Sequence, residues 1–179
     1  MYKLGPDYSI RMVTNDKLLQ FSAVHSGISR MTAKEFLEEL TRIMAQGVID
    51  TYDQVKRDEK GLFAESREDI FAAAPSIYES VYHEFPFLEQ TDRVPKALVF
   101  SEPFSAMDFT GIFFPFTGEA NINVDTPPAL IPSTIAHELA HQRGVAKEQE
   151  ANFVAVLACL DYGDVDYCYS ACWCRKAFK

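Results

Sequence analysis

The amino-acid sequence predicts an α+β domain, mostly helical, with a small β-sheet beside one chemically distinctive helix. Three observations lead there. Apolar residues recur at helical spacing behind Thr32 and again from Ser133 onward. Between Lys96 and Asn123 the pattern changes to short β-type runs joined by a glycine turn. Helices first, a small sheet in the middle and helices last is the order of an α+β domain, not of alternating βαβ units.

Each element has its own signals. In the opening segment SIRMV and LLQFSAV each read as a strand. Thr32 begins T-x-x-E with Glu35, a capping box, and Phe36, Leu37, Leu40, Ile43 and Met44 follow at helical spacing. A helix is therefore expected from about Ala33 into the fifties, with Gly61 beyond it as a break. Ser66 with Asp69 starts a second helix whose apolar face holds Ile70, Phe71, Ile77, Val81 and Phe85. Pro75 kinks or divides that run, and Pro86 closes it. ALVF, ending at Phe100, reads as a short buried strand, and GIFFPFTGEANIN as strand, turn and strand. Pro115 argues for an edge position, because proline cannot donate to a central ladder. TPPALIP is a rigid connector. Two helices follow, roughly Ser133 to Arg143 and, after a break at Gly144, Lys147 to about Asp161. The chain reads as a single domain over 1–179, with 1–31 a poorly readable N-terminal segment and 162–179 a cysteine-containing C-terminal tail.

Composition narrows the class. The 179 residues are 47% hydrophobic and 24% charged, which suits a soluble globular domain. A net charge of −9 argues against nucleic acid as a partner, since the average surface repels phosphate. No run is apolar and long enough to span a bilayer, and MYKLGPDYSI lacks the regions of a signal peptide. The spacing of Cys159, Cys168, Cys172 and Cys174 does not match paired C-x-x-C zinc knuckles. They read as one small core residue and three free thiols on the tail.

The informative residues are His137-Glu138-Leu139-Ala140-His141. Residues four apart on a helix lie one turn above each other, so His137 and His141 can present two imidazole nitrogens to one zinc ion. Glu138 is then rotated to reach a water on that ion and act as general base, the chemistry of metal-assisted hydrolysis. With 4 histidines and 14 glutamates in 179 positions, chance alone supplies the pattern in about 0.7 per cent of such chains, the false-positive risk of any short motif.

A catalytic zinc needs a third protein ligand and one open position. No histidine follows His141, and His25 and His83 lie far upstream, so the candidates are Glu148 and Glu150. Glu150 leads a bulky stripe with Phe153, Val154 and Leu157 that should pack inward, and it is the expected ligand. Glu148 shares a face with Ala151, Asn152 and Ala155 and suits an acidic helix start, which makes it the alternative. Asn152 or Asp161 can hydrogen-bond a ligand histidine and fix its tautomer.

HELAHQRG followed by E-x-E-A-N-F resembles the gluzincin-like zinc peptidases. PFTGEANIN with HELAHQRGVAKEQEANFVA is similar, more closely, to an uncharacterised bacterial family of zinc-peptidase-like proteins that carries a domain-of-unknown-function label. The resemblance is strongest over about Gly111 to Leu160. It implies a zincin-like fold and one Zn²⁺ held by His137, His141 and Glu150, with Glu138 as catalytic base. It also implies a membrane-associated parent with hydrophobic helices ahead of the peptidase-like domain. Such helices are missing here and relatives continue beyond the cysteine cluster, so the chain is expected to be an excised or truncated domain.

The expected reaction is peptide-bond hydrolysis, with a peptide or protein as substrate. GIFFPF is the candidate edge strand for binding substrate backbone. Arg143, Tyr162, Tyr167, Tyr169 and His83 are candidates to stabilise the oxyanion, and Glu119, Asn121 and Asn123 to line the cleft. Two rivals remain: a metal-binding sensor or interaction domain without turnover, and a zinc hydrolase of a non-peptide amide such as a cell-wall cross-link.

Overall fold

The structure, a computed structural model, describes residues 2–4, 8–12, 19–23, 33–91 and 93–174. The chain forms two compact units, 1–46 and 47–179. In the first, β1 (Tyr2–Leu4), β2 (Tyr8–Met12) and β3 (Leu19–Ala23) make an antiparallel sheet in sequence order. Tyr2 lies opposite Ile10, and Ile10 opposite Phe21. Helix α1 (Ala33–Tyr52) begins in this unit and ends in the second. It starts where the capping signal puts it, although Thr32 lies outside the described residues.

The second unit carries the chemistry. Its α2 (Arg67–Ala73) is capped by Ser66, whose side chain accepts from the Asp69 N–H. Pro75 ends it by opening a 3-10 turn, Ala74–Ser76, and two further 3-10 turns carry the chain to Leu88. Ile70, Ile77, Val81 and Phe85 are buried as the apolar spacing requires.

A second sheet has the order β4-β6-β5, with β4 (Lys96–Ala97) parallel and β5 (Gly111–Phe114) antiparallel to the central β6 (Glu119–Ile122). β5 is thus an edge, and Pro115 follows its last residue. The ALVF segment departs from expectation: only Lys96 and Ala97 are in a strand, both exposed, and Val99 and Phe100 face solvent. A short apolar run carries no period to reveal its face, and the run ends where α3 (Ser101–Ala106) begins.

Helix α4 (Ile131–Gln142) packs against β5, β6, α2, α5 (Glu148–Tyr162) and α6 (Val165–Trp173). Ile131, Ile135, Ala136, Leu139 and Ala140 are completely buried. Burial on all sides explains a helix with little apolar-polar contrast. Its start lacks a side-chain cap of its own, since Pro132 has no N–H to satisfy and the buried Ser170 hydroxyl accepts from the Ser133 N–H at 2.9 Å. Ser133 and Thr134 therefore lie inside the helix, which starts two residues earlier than the sequence pattern places it. Residues 165–173 are helix and not tail: Asp164 caps α6 by accepting from the Asp166 and Tyr167 N–H groups, and Tyr167, Tyr169 and Ala171 are buried. Cys168 and Cys172 sit on this helix, half-buried, and all four cysteines are free thiols.

Candidate metal centre

The ends of α4 and α5 meet around the Gly144 turn. Gly144 is left-handed at φ 85°, a conformation that glycine adopts without a Cβ clash. Its N–H donates to the His141 carbonyl at 3.0 Å, and the Val145 N–H returns to the Ala140 carbonyl at 3.1 Å. This paired closure is a Schellman motif. It brings the Val145 carbonyl over the last turn of α4, where it accepts from His141 Nδ1 at 2.7 Å. The proton is thereby held on Nδ1, and Nε2 is left as the lone-pair nitrogen.

His141 Nε2 lies 3.1 Å from His137 Nε2. The Glu148 carboxylate completes the group, with Oε2 3.3 Å from His137 Nε2 and Oε1 3.4 Å from His141 Nε2. Ligands about 2.0–2.1 Å from a tetrahedral ion lie roughly 3.3 Å from one another. Two imidazole nitrogens and a carboxylate at such separations fit a divalent zinc-like ion, and Glu148, 71% exposed, leaves the solvent side open.

The structure thus brings Glu148, not Glu150, to the two histidines. The Glu150 carboxylate instead accepts from Lys147 Nζ at 3.0 Å. The physical reason lies in side-chain size. The face of α5 that borders the cleft carries Glu148, Asn152, Ala155 and Val156, without the bulk of Phe153 and Leu157. Val154 and Leu157 are also buried, but away from this cleft. Asn152 lines the cleft one turn beyond Glu148. Asp161 does not: it lies roughly 20 Å beyond Glu148 along α5, at about 1.5 Å per residue. The tautomer-fixing partner of His141 is instead the backbone at Val145, which side-chain patterns do not register.

Glu138 is buried and lines the same cleft, a cavity of about 730 Å³. Gly111 makes room for it: a Cβ at that position would lie 2.7 Å from Glu138 Oε1 and 2.9 Å from Thr134 Cγ2. A glycine opening an otherwise bulky strand is the signal that marks such a close approach. Asn123 N–H donates to the Thr110 carbonyl at 2.9 Å. Antiparallel alternation then turns Ile112 and Phe114 main-chain groups toward β6, and those of Gly111 and Phe113 toward the open edge along the cleft.

The remaining candidates serve the fold. Arg143 donates to the Leu139 carbonyl and to the Tyr82 hydroxyl, and stacks over Tyr78. Tyr167 donates to the Ile70 carbonyl at 2.6 Å, and Tyr169 stacks on Phe63 and Trp173. None of these, nor Tyr162 or the exposed His83, is among the residues lining the cleft. Glu119 pairs with Lys96. Asn123 is fully buried and donates to the Phe109 carbonyl and Ser105 hydroxyl. With Asn121 they belong to the hairpin and its surroundings, outside the cleft wall.

The fold and site define an α+β protein with a His/His/Glu cluster beneath an edge strand. Residues 15–174 match the family described as "Protein of unknown function (DUF3810)", and the chain belongs to that family. No curated protein and no solved structure matches it. Among the described residues, no helix is long and apolar enough to cross a membrane.

Proposed function

We propose that this chain is a zinc-dependent metallopeptidase with a zincin-like pairing of active-site helix and edge strand. The observation that supports the reading best is the convergence of His137, His141 and Glu148 at 3.1–3.4 Å beside buried Glu138. A zinc ion bound there would polarise a scissile carbonyl and bring the pKa of a water toward about 7. The chain's own residues do the rest. His137, His141 and Glu148 hold the ion, and the Val145 carbonyl keeps His141 Nε2 free of a proton. The Glu138 carboxylate takes the proton of the attacking water and returns it to the leaving amine. The main-chain groups of Gly111 and Phe113 at the strand edge bind the substrate backbone by strand addition. That repeated pattern of donors and acceptors favours a polypeptide over a non-peptide amide. The parent protein is taken to be membrane-anchored through segments other than these helices, which membrane fractionation of the parent checks.

Elemental analysis combined with peptide hydrolysis tests the assignment. Wild type, Glu138→Gln and Glu150→Ala are expected to carry near-stoichiometric zinc, His141→Ala to lose it, and Glu148→Ala to bind it weakly. Glu138→Gln should lower turnover by about 10²- to 10⁴-fold. Wild type that takes up no zinc on reconstitution sinks the reading. Full biological function in Glu138→Gln would instead identify a binding or sensor domain.

A further inference from the structure

The charge pattern of the cleft deepens this reading, on which the following inference rests. Among the described residues, no lysine or arginine lines the cleft. Beyond His137, Glu138, His141 and Glu148, the one charged lining residue among those described is Asp108. Phe109, Ile112, Phe113, Pro115, Val145 and Val156 give the cleft apolar walls besides. A bound dication would balance the charges of Glu138 and Glu148, leaving Asp108 as the uncompensated charge among the described lining residues.

Asp108 is built into a defined turn. Its φ is 60°, a left-handed conformation that aspartate and asparagine tolerate better than other non-glycine residues. The turn is closed by three main-chain bonds, Met107 N–H and Phe109 N–H to the Phe104 carbonyl and Asp108 N–H to the Ser105 carbonyl, at 3.0–3.1 Å. The Asp108 side chain is exposed, and among the described residues no cation pairs with its carboxylate. It lies on the chain segment leading directly into the open edge of β5, beside the path of any added strand.

We propose that Asp108 selects substrates by charge, so that the cleft takes an extended, apolar segment carrying a lysine or arginine near the cleaved bond. A substrate carboxylate there meets like charge and, among the described residues, no counter-ion, which disfavours acidic segments and the free C-termini that a carboxypeptidase would need. Asp108 acts on binding and not on the chemical step.

Binding to the zinc-supplemented Glu138→Gln protein isolates this property from turnover. The probes are fluorescent, end-blocked apolar decapeptides carrying one central lysine, norleucine or glutamate, plus a shorter peptide with a free C-terminal carboxylate. The lysine peptide should bind about tenfold more tightly than the glutamate peptide, attraction and repulsion each supplying about threefold. In Glu138→Gln/Asp108→Asn, whose asparagine suits the same backbone, that gap should fall below about twofold while norleucine-peptide binding is unchanged. Equal binding of lysine and glutamate peptides, or discrimination that survives Asp108→Asn, overturns charge selection and leaves the peptidase reading standing. Binding of none of the peptides overturns both.

Discussion

Gly111 is a glycine for space, since its φ is not among the left-handed ones. A methyl group there would press on the Glu138 carboxylate and on Thr134, both on the most deeply buried helix of the second unit. Gly111→Ala is therefore expected to displace Glu138 while sparing His137, His141 and Glu148. Turnover should drop by about 10²-fold, as a misplacement of about 1 Å can cause, with zinc per chain unchanged. Wild-type turnover in Gly111→Ala would argue that Glu138 does not act as the base. At this scale the sequence was legible where chemistry imposes a spacing. His137, Glu138 and His141 announce themselves because a helix must repeat every turn to present two imidazoles to one ion. Glu148 was hidden because side-chain bulk is a poor guide to which helix face lies nearest a neighbour. The Val145 carbonyl was hidden because any residue supplies one.

Among the elements, the turn between α4 and α5 does the most for the site. One left-handed residue, Gly144, reverses the chain, satisfies the last carbonyls of α4, and aims both Val145 and Glu148 at the histidines. Gly144→Ala has open space for its methyl group, so its cost is backbone strain of about 1–2 kcal/mol. The same change should loosen the Val145–His141 hydrogen bond and weaken zinc affinity by about tenfold or more, measured by competition with a chelator. A variant that loses stability without losing zinc affinity would detach the turn from the metal site. Elements with punctuation are legible in the sequence: Ser66 at the start of α2, Pro75 at its end, Pro115 at the edge strand, Gly144 between helices. Those without it are not. The ALVF run offers no period, and the cysteines and tyrosines of α6 form no obvious apolar stripe.

For the chain as a whole, element order and the α+β class follow from periodicity, whereas the contacts that bury α6 against α4 are long-range and have no local signature. That burial has a consequence for folding stability as pH changes. On α6 the Asp166 carboxyl is pushed up to about 6, first by burial and then by the nearby charges of Asp164 and Glu65, with Lys56 opposing them. Its Oδ1 is buried and has no hydrogen-bond partner among the described residues. A carboxyl raised in this way binds its proton more tightly folded than unfolded. Between about pH 4 and pH 6 the folded chain keeps a proton that the unfolded chain has released, so this group's contribution to stability falls as pH rises through that window. Carboxylates lowered by partners, such as Glu65 beside Lys56, act in the opposite sense. Asp166→Asn removes the buried charge, and its uncharged amide should make the protein more stable than wild type at pH 7. The two should converge toward pH 4, where wild-type Asp166 is protonated in the folded state. Urea midpoints followed by fluorescence of Trp173, the chain's single tryptophan and itself stacked on Tyr169 in α6, check this directly. An Asp166→Asn protein less stable at pH 7, or offset equally at pH 4 and pH 7, would mean that ionisation of Asp166 does not oppose the docking of α6.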